Sequence, residues 1–197
     1  MQQTNEFNRL ISEARACTLC APHLPLGCRP IFQMHPQARI LIVGQAPGRR
    51  VHETGIPFND PSGERLRKWM GVDKAMFYDA EQIALLPMGF CYPGSSSSGD
   101  LPPRPECVET WRSRMMAQLK HVELTLVLGQ YARDWHVPED KKKSLTETVS
   151  NWQQHWPKLV VLPHPSPRNV RWFKANPWFE QELAPKISGR IAVLLAS

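Results

Sequence analysis

Four short aliphatic runs constrain the fold of this chain more than any other feature of its sequence. They are almost continuously apolar, which is typical of strands buried on both faces of a parallel sheet. Amphipathic stretches separate them, and such alternation indicates an α/β sandwich. We therefore predict a three-layer α/β sandwich with a four-stranded parallel sheet between helices. The four runs are Ile40–Val43, Ile83–Leu86, Leu124–Leu128 and Leu159–Leu162.

Five segments are predicted to be helices. Pro61–Gly71 begins after a cap-like Asp60 and ends at a glycine, and Pro105–Lys120 carries apolar residues at helical spacing. A chain of 197 residues has the length of one ordinary domain. We therefore predict that residues 1–197 form a single domain. The remaining predicted helices are Asn5–Ala16, Leu145–Trp156 and Pro177–Leu195.

Composition and charge exclude several classes of protein. The chain has 24 Lys and Arg against 18 Asp and Glu, and the net charge of +6 favours a polyanionic partner. An apolar share of 42% excludes a wholly disordered chain. No apolar run approaches the roughly 20 residues that span a bilayer, and the first residues lack the apolar segment of a secretory signal. We expect a cytoplasmic monomer with no membrane partner.

The loops that follow the strands are rich in glycine, proline and polar residues, and ligands bind at this edge of open parallel sheets. After the first strand, Gly44–Gly48 lets the backbone approach a ligand, although a plain strand-to-helix turn is the alternative. After the last strand, His164–Asn169 combines rigid prolines with hydrogen-bonding side chains. Asp60 is either a catalytic carboxylate or only a helix cap. The serine run Ser95–Ser98 is predicted to be a mobile loop tip.

The cysteines form two pairs of different spacing. Cys17 and Cys20 are a C-x2-C pair, whereas Cys91 and Cys107 are sixteen residues apart. An odd number of cysteines in a chain without an export signal disfavours a disulfide framework and favours metal ligation. Structural zinc usually draws two tight pairs, which the wide second pair fits poorly. Four buried free thiols are the alternative.

Together these motifs resemble the uracil-DNA glycosylase superfamily. GQAPG after the first strand, GIPF with a downstream SGERL helix, and HPSP after the last strand occur in the family's order between about residues 13 and 185. The cysteine pattern resembles that of the iron–sulfur, thermophile-type branch. The resemblance implies a [4Fe–4S] cluster, with zinc as the alternative occupant, and leaves Cys28 as a plain thiol. The implied ligands are Cys17, Cys20, Cys91 and Cys107.

The resemblance implies an enzyme of base-excision repair. Such a DNA glycosylase flips a damaged, deaminated base out of DNA and hydrolyses its N-glycosidic bond. By resemblance, His164 stabilises the negative charge on the departing base and Phe58 stacks on that base. The base is bound by Gly44, Gln45 and Ala46. Double- or single-stranded DNA is contacted by Ser166, Pro167, Arg168, Asn169 and Arg171.

Two positions depart from the family pattern. Gln45 stands where the iron–sulfur branch has Glu, and Pro87 stands where it has the uracil-selecting Asn. We assign the missing carboxylate to Asp60, whose context resembles another branch. Two other classes stay open: a weak or inactive nucleic-acid-binding module that keeps the fold, and a hydrolase of free nucleosides. Abasic-site formation excludes the first, and a preference for duplex over nucleoside excludes the second.

Overall fold

The predicted parallel sheet is present in the structure, a computed structural model that describes residues 2–97 and 99–196. Its four strands are all parallel and lie in the order β2-β1-β5-β6. Ile42 at the centre of the sheet pairs with Leu85 on one side and Leu126 on the other. The strands are β1 (Ile40–Val43), β2 (Ile83–Leu85), β5 (Leu124–Leu128) and β6 (Leu159–Leu162).

Burial of the strands shows why the sheet is the middle layer. Every residue of β1, β2 and β5 is buried. Because successive strand residues point to opposite faces, burial of all of them requires cover on both sides. Helices supply that cover, so the predicted three-layer α/β sandwich is confirmed.

Ten α-helices are seen in the described part of the chain, and none of them is long and apolar enough to cross a membrane. They are α1 (Gln2–Arg15), α2 (Arg49–Thr54), α3 (Pro61–Met70), α4 (Lys74–Phe77), α5 (Pro105–Cys107), α6 (Ser113–Met116), α7 (Gln130–His136), α8 (Leu145–Ser150), α9 (Val170–Ala175) and α10 (Ala184–Ala196). Wider π-helical turns join α5 to α6 and precede α10, at Val108–Arg112 and Phe179–Leu183. Single 3-10 turns occur at Ala21–His23, Pro138–Asp140, Trp152–Gln154 and Pro167–Asn169.

Helix α3 shows how local sequence positions the site. The Asp60 carboxylate accepts the Gly63 N–H at 2.9 Å and so caps the first turn. Gly71 ends the helix with a left-handed φ of 67°. A Cβ at this glycine would overlap the hydroxyl of Ser188 on α10, so α3 packs closely against α10.

Several segments differ from the sequence prediction. The stretch after β5 forms α7, because Gly129 at φ 81° turns the chain directly into a helix. The predicted helix Leu145–Trp156 is shorter, since α8 ends at Ser150 and only a 3-10 turn follows. The serine run belongs to a small antiparallel hairpin of β3 (Ser95–Ser96) and β4 (Gly99–Asp100). Ser98 of the predicted mobile tip lies outside the described residues.

Candidate active site

A cleft of about 490 Å³ opens at the carboxyl ends of the strands. Its walls come from the loops after β1 and β6, the segment before α3, the end of β2 and the β3–β4 hairpin. Gln45, Phe58, Asp60 and His164, which are far apart in sequence, all line it. The cleft also contains Gly44, Ala46, Pro87, Asp100, Ser166, Pro167, Arg168 and Asn169.

The loop after β1 is held by backbone hydrogen bonds. The Gly44 and Gln45 carbonyls accept the N–H groups of Met88 and Gly89, at 2.8 and 2.9 Å. A Cβ on Gly44 would lie 3.6 Å from the Phe58 ring, an ordinary van der Waals distance, so the ring packs directly beside this glycine. These contacts fix the loop's shape before any ligand arrives.

The Gln45 side chain is engaged with the hairpin segment. Its Nε2 donates to the Leu101 carbonyl at 2.7 Å and to the Asp100 carbonyl at 3.3 Å. The amide therefore ties the loop after β1 to the segment that follows β4. A glutamate at this position has no proton to donate to two carbonyls, so the amide is required for this tie.

Phe58 forms an aromatic wall with a strained backbone. It is the one non-glycine residue with positive φ among the described residues, at 53°. Its ring packs edge-on against Phe77 with centroids 6.0 Å apart. A Cβ on Gly63 would overlap the Phe58 carbonyl oxygen, so the conformation depends on that glycine. Strain of this kind persists where the surroundings over-determine it, and it concentrates at functional sites.

His164 is a neutral hydrogen-bond donor by geometry. Its Nδ1 accepts the Ser166 N–H at 3.2 Å. Burial lowers the pKa of the imidazole, which outweighs the opposing effect of the Asp60 and Asp100 charges. A neutral ring that accepts at Nδ1 carries its proton at Nε2. His164 therefore offers an N–H group to the cleft at neutral pH.

The rest of the loop after β6 supports the position of His164. The Asn169 amide donates to the His164 carbonyl at 2.7 Å, and the Ser166 hydroxyl accepts the Arg168 N–H at 3.2 Å. Arg65 on α3 donates to the carbonyls of Pro165 and Ser166 at 3.3 and 3.2 Å. The Ser166 and Asn169 side chains thus hold the loop together.

The exposed cations lie at the rim. Arg168 and Arg171 are both exposed, as is Pro167. The Arg168 guanidinium lies against Gly99 of the hairpin, where a Cβ would collide with it. Within residues 2–97 and 99–196, neither arginine forms a salt bridge, so both charges are available to an anion.

Asp100 is a site residue that the sequence analysis missed. Its Oδ2 lies 3.5 Å from where a Cβ on Gly48 would be, so the carboxylate reaches across the cleft to the loop after β1. The sequence signal is weak, because a Gly-Asp pair in a long serine- and proline-rich loop reads as a turn. Only the returning hairpin brings this carboxylate beside His164.

The floor of the cleft is apolar at the end of β2. Ile31, Leu85 and Pro87 line it, and Pro87 has neither a side-chain polar group nor an N–H. Behind this floor the buried Arg112 donates to the Leu86 carbonyl at 2.7 Å. Burial lowers the pKa of this guanidinium to about 9, against an opposing effect of Cys107.

A separate cavity of about 20 Å³, the cysteine cavity, is lined by all five cysteines. It brings together the predicted ligands Cys17, Cys20, Cys91 and Cys107, and Cys28 lies in the same wall. Burial raises the pKa of Cys91 and of Cys107 to about 12, so without a metal both stay protonated. No group of three Cys, His, Asp or Glu side chains among the described residues is arranged tightly enough to hold a metal ion.

N–H groups lie against two of the four predicted ligands. The Trp111 indole donates to Cys17 at 3.3 Å, and the Phe90 N–H donates to Cys107 at 3.4 Å. Burial raises the pKa of Cys20 and of Cys91, against the opposing effects of the Arg104 guanidinium and the Arg29 backbone. The pKa of Cys28 is raised by burial and by Cys17. Donors aimed at thiolate sulfurs are a feature of iron–sulfur sites, so the donors to Cys17 and Cys107 fit a cluster.

The fold and the cleft define an α/β protein with a cleft at the carboxyl edge of a parallel sheet, between an aromatic wall and a neutral histidine. The sequence profile described as "Uracil DNA glycosylase superfamily" matches residues 32–188. The chain therefore belongs to the uracil-DNA glycosylase superfamily, as the motifs suggested.

The chain is also similar to a solved structure. It is the solution NMR structure of a putative uracil DNA glycosylase from Methanosarcina acetivorans, which is 17% identical in sequence with a TM-score of 0.49. The match covers 82% of this chain and 98% of the archaeal one.

Proposed function

We propose that this protein is a DNA glycosylase of base-excision repair, which flips a damaged, deaminated base out of DNA and hydrolyses its N-glycosidic bond. The observation that carries the proposal is the pairing of Phe58 with a neutral His164 across one cleft. A flipped base needs an aromatic face to replace lost stacking, and its departure as an anion needs a donor.

His164 stabilises the leaving group. When the glycosidic bond breaks heterolytically, its electron pair goes to the base, which becomes an anion. The Nε2–H of His164 stabilises that charge by a hydrogen bond without transferring a net charge. A neutral donor that is already oriented by Ser166 needs no reorganisation during the reaction, which is the basis of its effect.

The sugar develops the opposite charge. Asp60 is placed at the same cleft by its role as the cap of α3, and one of its oxygens is held by the Gly63 N–H. A fixed carboxylate near the sugar stabilises an oxocarbenium-like cation electrostatically. Capping and catalysis are therefore compatible here, because the cap fixes where the charge lies.

This protein recognises the base differently from members of the iron–sulfur branch. Pro87 replaces the expected Asn in the apolar floor, and Gln45 replaces the expected Glu while its amide is engaged with Leu101. We propose a member of the iron–sulfur branch with a divergent active site. Contacts to the base come from Gly44, Gln45 and Ala46 at the loop backbone.

DNA is the proposed partner. Arg168 and Arg171 supply exposed positive charge beside the cleft, and the net charge of +6 acts in the same direction. We propose that Ser166, Pro167 and Asn169 shape the loop that approaches the duplex. The proposed protein is a cytoplasmic monomer with one domain over residues 1–197.

A [4Fe–4S] cluster is proposed for the cysteine cavity, held by Cys17, Cys20, Cys91 and Cys107. When bound, the cluster supplies a covalent tie between the N-terminal segment and the loop after β2. The support is that the four thiols line one cavity and that two of them, Cys17 and Cys107, accept an N–H group.

Excision assays test the function directly. The protein is incubated with duplexes that carry uracil, hypoxanthine, xanthine or a thymine mispair, and abasic sites are then cleaved with alkali. We expect strand cleavage for at least one of these lesions. Binding of the same duplexes with no cleavage would instead identify a non-catalytic module, and release of bases from free nucleosides alone would identify a nucleoside hydrolase.

A further inference from the structure

We propose that Asp100 orients and activates the attacking water, and that Gln45 is the positioning residue that holds it there. This rests on the proposed glycosylase function. It assigns the activation of water to a carboxylate on the β3–β4 hairpin and not to Asp60, to which the sequence analysis assigns the missing carboxylate. The three observations that carry it are the place of Asp100, the state of its carboxylate, and the tie made by Gln45.

The place of Asp100 is the same cleft as His164. Both residues line it, and the two side chains are close enough for the Asp100 charge to act on the imidazole. The carboxylate lies over Gly48. A Cβ added to this glycine would lie 3.5 Å from Asp100 Oδ2. Asp100 thus faces the loop after β1, the segment at which the family pattern expects its catalytic carboxylate.

The two carboxylates of the cleft differ in what already occupies them. Asp60 Oδ1 accepts the Gly63 N–H. In contrast, no hydrogen bond or salt bridge reaches the Asp100 carboxylate from the described residues, and its backbone carbonyl accepts from Gln45. A general base must have a free oxygen for the proton that it takes from water. Among the described residues, Asp100 meets this requirement with both of its oxygens and Asp60 with Oδ2 alone.

The hydrogen bonds of Gln45 account for a catalytic carboxylate at position 100 and not at position 45. An amide at this position donates to the carbonyls of Leu101 and Asp100, at 2.7 and 3.3 Å. A glutamate here would repel both carbonyl oxygens and would add a second negative charge beside Asp100. The glutamine is therefore the partner of a carboxylate at position 100, and the absence of Glu at position 45 is no loss of function.

The chemical step balances as a hydrolysis. The C1′–N bond breaks and its electron pair leaves with the base, which His164 stabilises. The water oxygen forms the new bond to C1′, while one water proton passes to the Asp100 carboxylate and the other stays on the new hydroxyl. Asp100 then returns its proton to solvent, and the anionic base takes one up. The products are a neutral base and an abasic sugar.

The experiment compares Asp100→Asn, Gln45→Glu and Asp60→Asn under single-turnover conditions on the lesion duplex that the unaltered protein cleaves fastest. Asp79→Asn, an exposed aspartate away from the cleft, is the matched control. We expect Asp100→Asn to slow excision about 10²–10³-fold, within the usual range for general base catalysis. Gln45→Glu is expected to slow it as well, and Asp79→Asn to leave it unchanged.

Two further measurements separate catalysis from structure. Added formate should restore part of the excision by Asp100→Ala, because a small carboxylate can occupy the vacated space. Binding to a duplex with a tetrahydrofuran abasic analogue should stay within about twofold for Asp100→Asn, since a water-activating group contributes to the chemical step.

Each other outcome has a distinct meaning. Unchanged excision by Asp100→Asn, or faster excision by Gln45→Glu, overturns the role of Asp100 while the glycosylase function stands. Lost duplex binding without formate rescue overturns it too, because the aspartate would then serve only the shape of the hairpin. An unaltered protein that cleaves none of the lesion duplexes refutes the proposed function and this inference with it.

Discussion

The cleft and the cysteine cavity are built in opposite ways. Cleft residues sit at the ends of buried strands and at a capped helix, and their orientations are fixed by hydrogen bonds such as Asn169 to the His164 carbonyl. Around the cysteine cavity, Cys17, Cys20 and Cys91 lie in segments without regular structure, and only Cys107 lies in a helix, where α5 continues into the π-helical turn. The cleft is thus preformed by the sheet, whereas the cavity's walls have little secondary structure to hold them.

The difference indicates where a cofactor has most to contribute. Segments that lack a sheet or helix must be fixed by other links, and metal–thiolate bonds are strong links between distant parts of a chain. The cleft needs no such link, because backbone pairing and helix capping already position its side chains. Stability should therefore depend on the cysteines locally, and activity on the cleft.

Loss of a ligand at the cysteine cavity is the largest effect we expect. With the proposed cluster bound, the purified protein is expected to be brown and to contain iron, and Cys107→Ser should abolish both, since a hydroxyl replaces a thiolate ligand. Cys28→Ser is the matched control, because Cys28 lines the same cavity but is not a proposed ligand. Iron content and visible absorbance are measured for both variants.

Hydrogen exchange on the same pair sharpens the contrast between the two regions. Amides of residues 17–31 and 89–107 should exchange faster in Cys107→Ser, while those of β1 and β5 stay protected. Protection lost equally in the sheet would mean that the cysteines stabilise the whole domain, and equal iron in both variants would exclude Cys107 as a ligand.

Removal of the His164 side chain, the neutral donor of the cleft, is expected to have the next largest effect. His164→Ala should slow excision about 10²–10³-fold, as does loss of an oxyanion donor elsewhere. The variant should still bind the duplex, because the rim arginines are untouched. Single-turnover excision and duplex binding are the two measurements, and normal excision by the variant would remove His164 from the mechanism.

The pH profile tests the charge state of His164. Burial lowers its pKa, so the imidazole is already neutral at pH values where an ordinary histidine, with a pKa of about 6.5, is half protonated. If protonation of His164 changes the rate, the change should therefore lie on the acid side of that value. A titration above it that disappears in His164→Ala would show that the cationic form acts instead.

A methyl group added at Gly63, next to Phe58, should have a smaller effect than the changes above. It should lower the stability of the fold. Gly63→Ala places a Cβ against the Phe58 carbonyl, and overpacking of this kind costs about 1–3 kcal/mol. Gly189→Ala on α10 meets no atom within 4 Å and should be neutral or stabilising by up to about 1 kcal/mol. Denaturant unfolding of both variants measures the difference, and equal effects would mean that Phe58 is free to move.

The smallest effect is expected at the rim. Arg168→Ala should weaken duplex binding and reduce the slope of log affinity against log salt by about one phosphate contact. Arg9→Ala on α1, whose guanidinium pairs with Glu13, is the control. Binding titrations with the duplex at several salt concentrations measure this slope. An unchanged slope for Arg168→Ala would mean that the DNA does not contact Arg168.

The sequence predicts the sheet well because buried parallel strands are short aliphatic runs, and all four lie within one residue of the predicted bounds. It also predicts which loops form the cleft, because the carboxyl ends of parallel strands share an edge. It does not predict α7 or the hairpin, since short polar helices and turns lack a periodic apolar pattern. Asp100 was missed for the same reason, because its position depends on how a long loop returns.

The π-helical turn at Val108–Arg112 connects the two regions. It follows Cys107 directly, and its last two residues point to both places: Trp111 donates to Cys17, and Arg112 donates to Leu86 behind the cleft floor. A π turn is an α-helix with one residue added. The wider turn accommodates that residue locally, so Cys107 and Arg112 keep the relative orientation that an α-helix with one residue fewer would give them. One short helical segment therefore joins the cysteine cavity to the floor of the cleft.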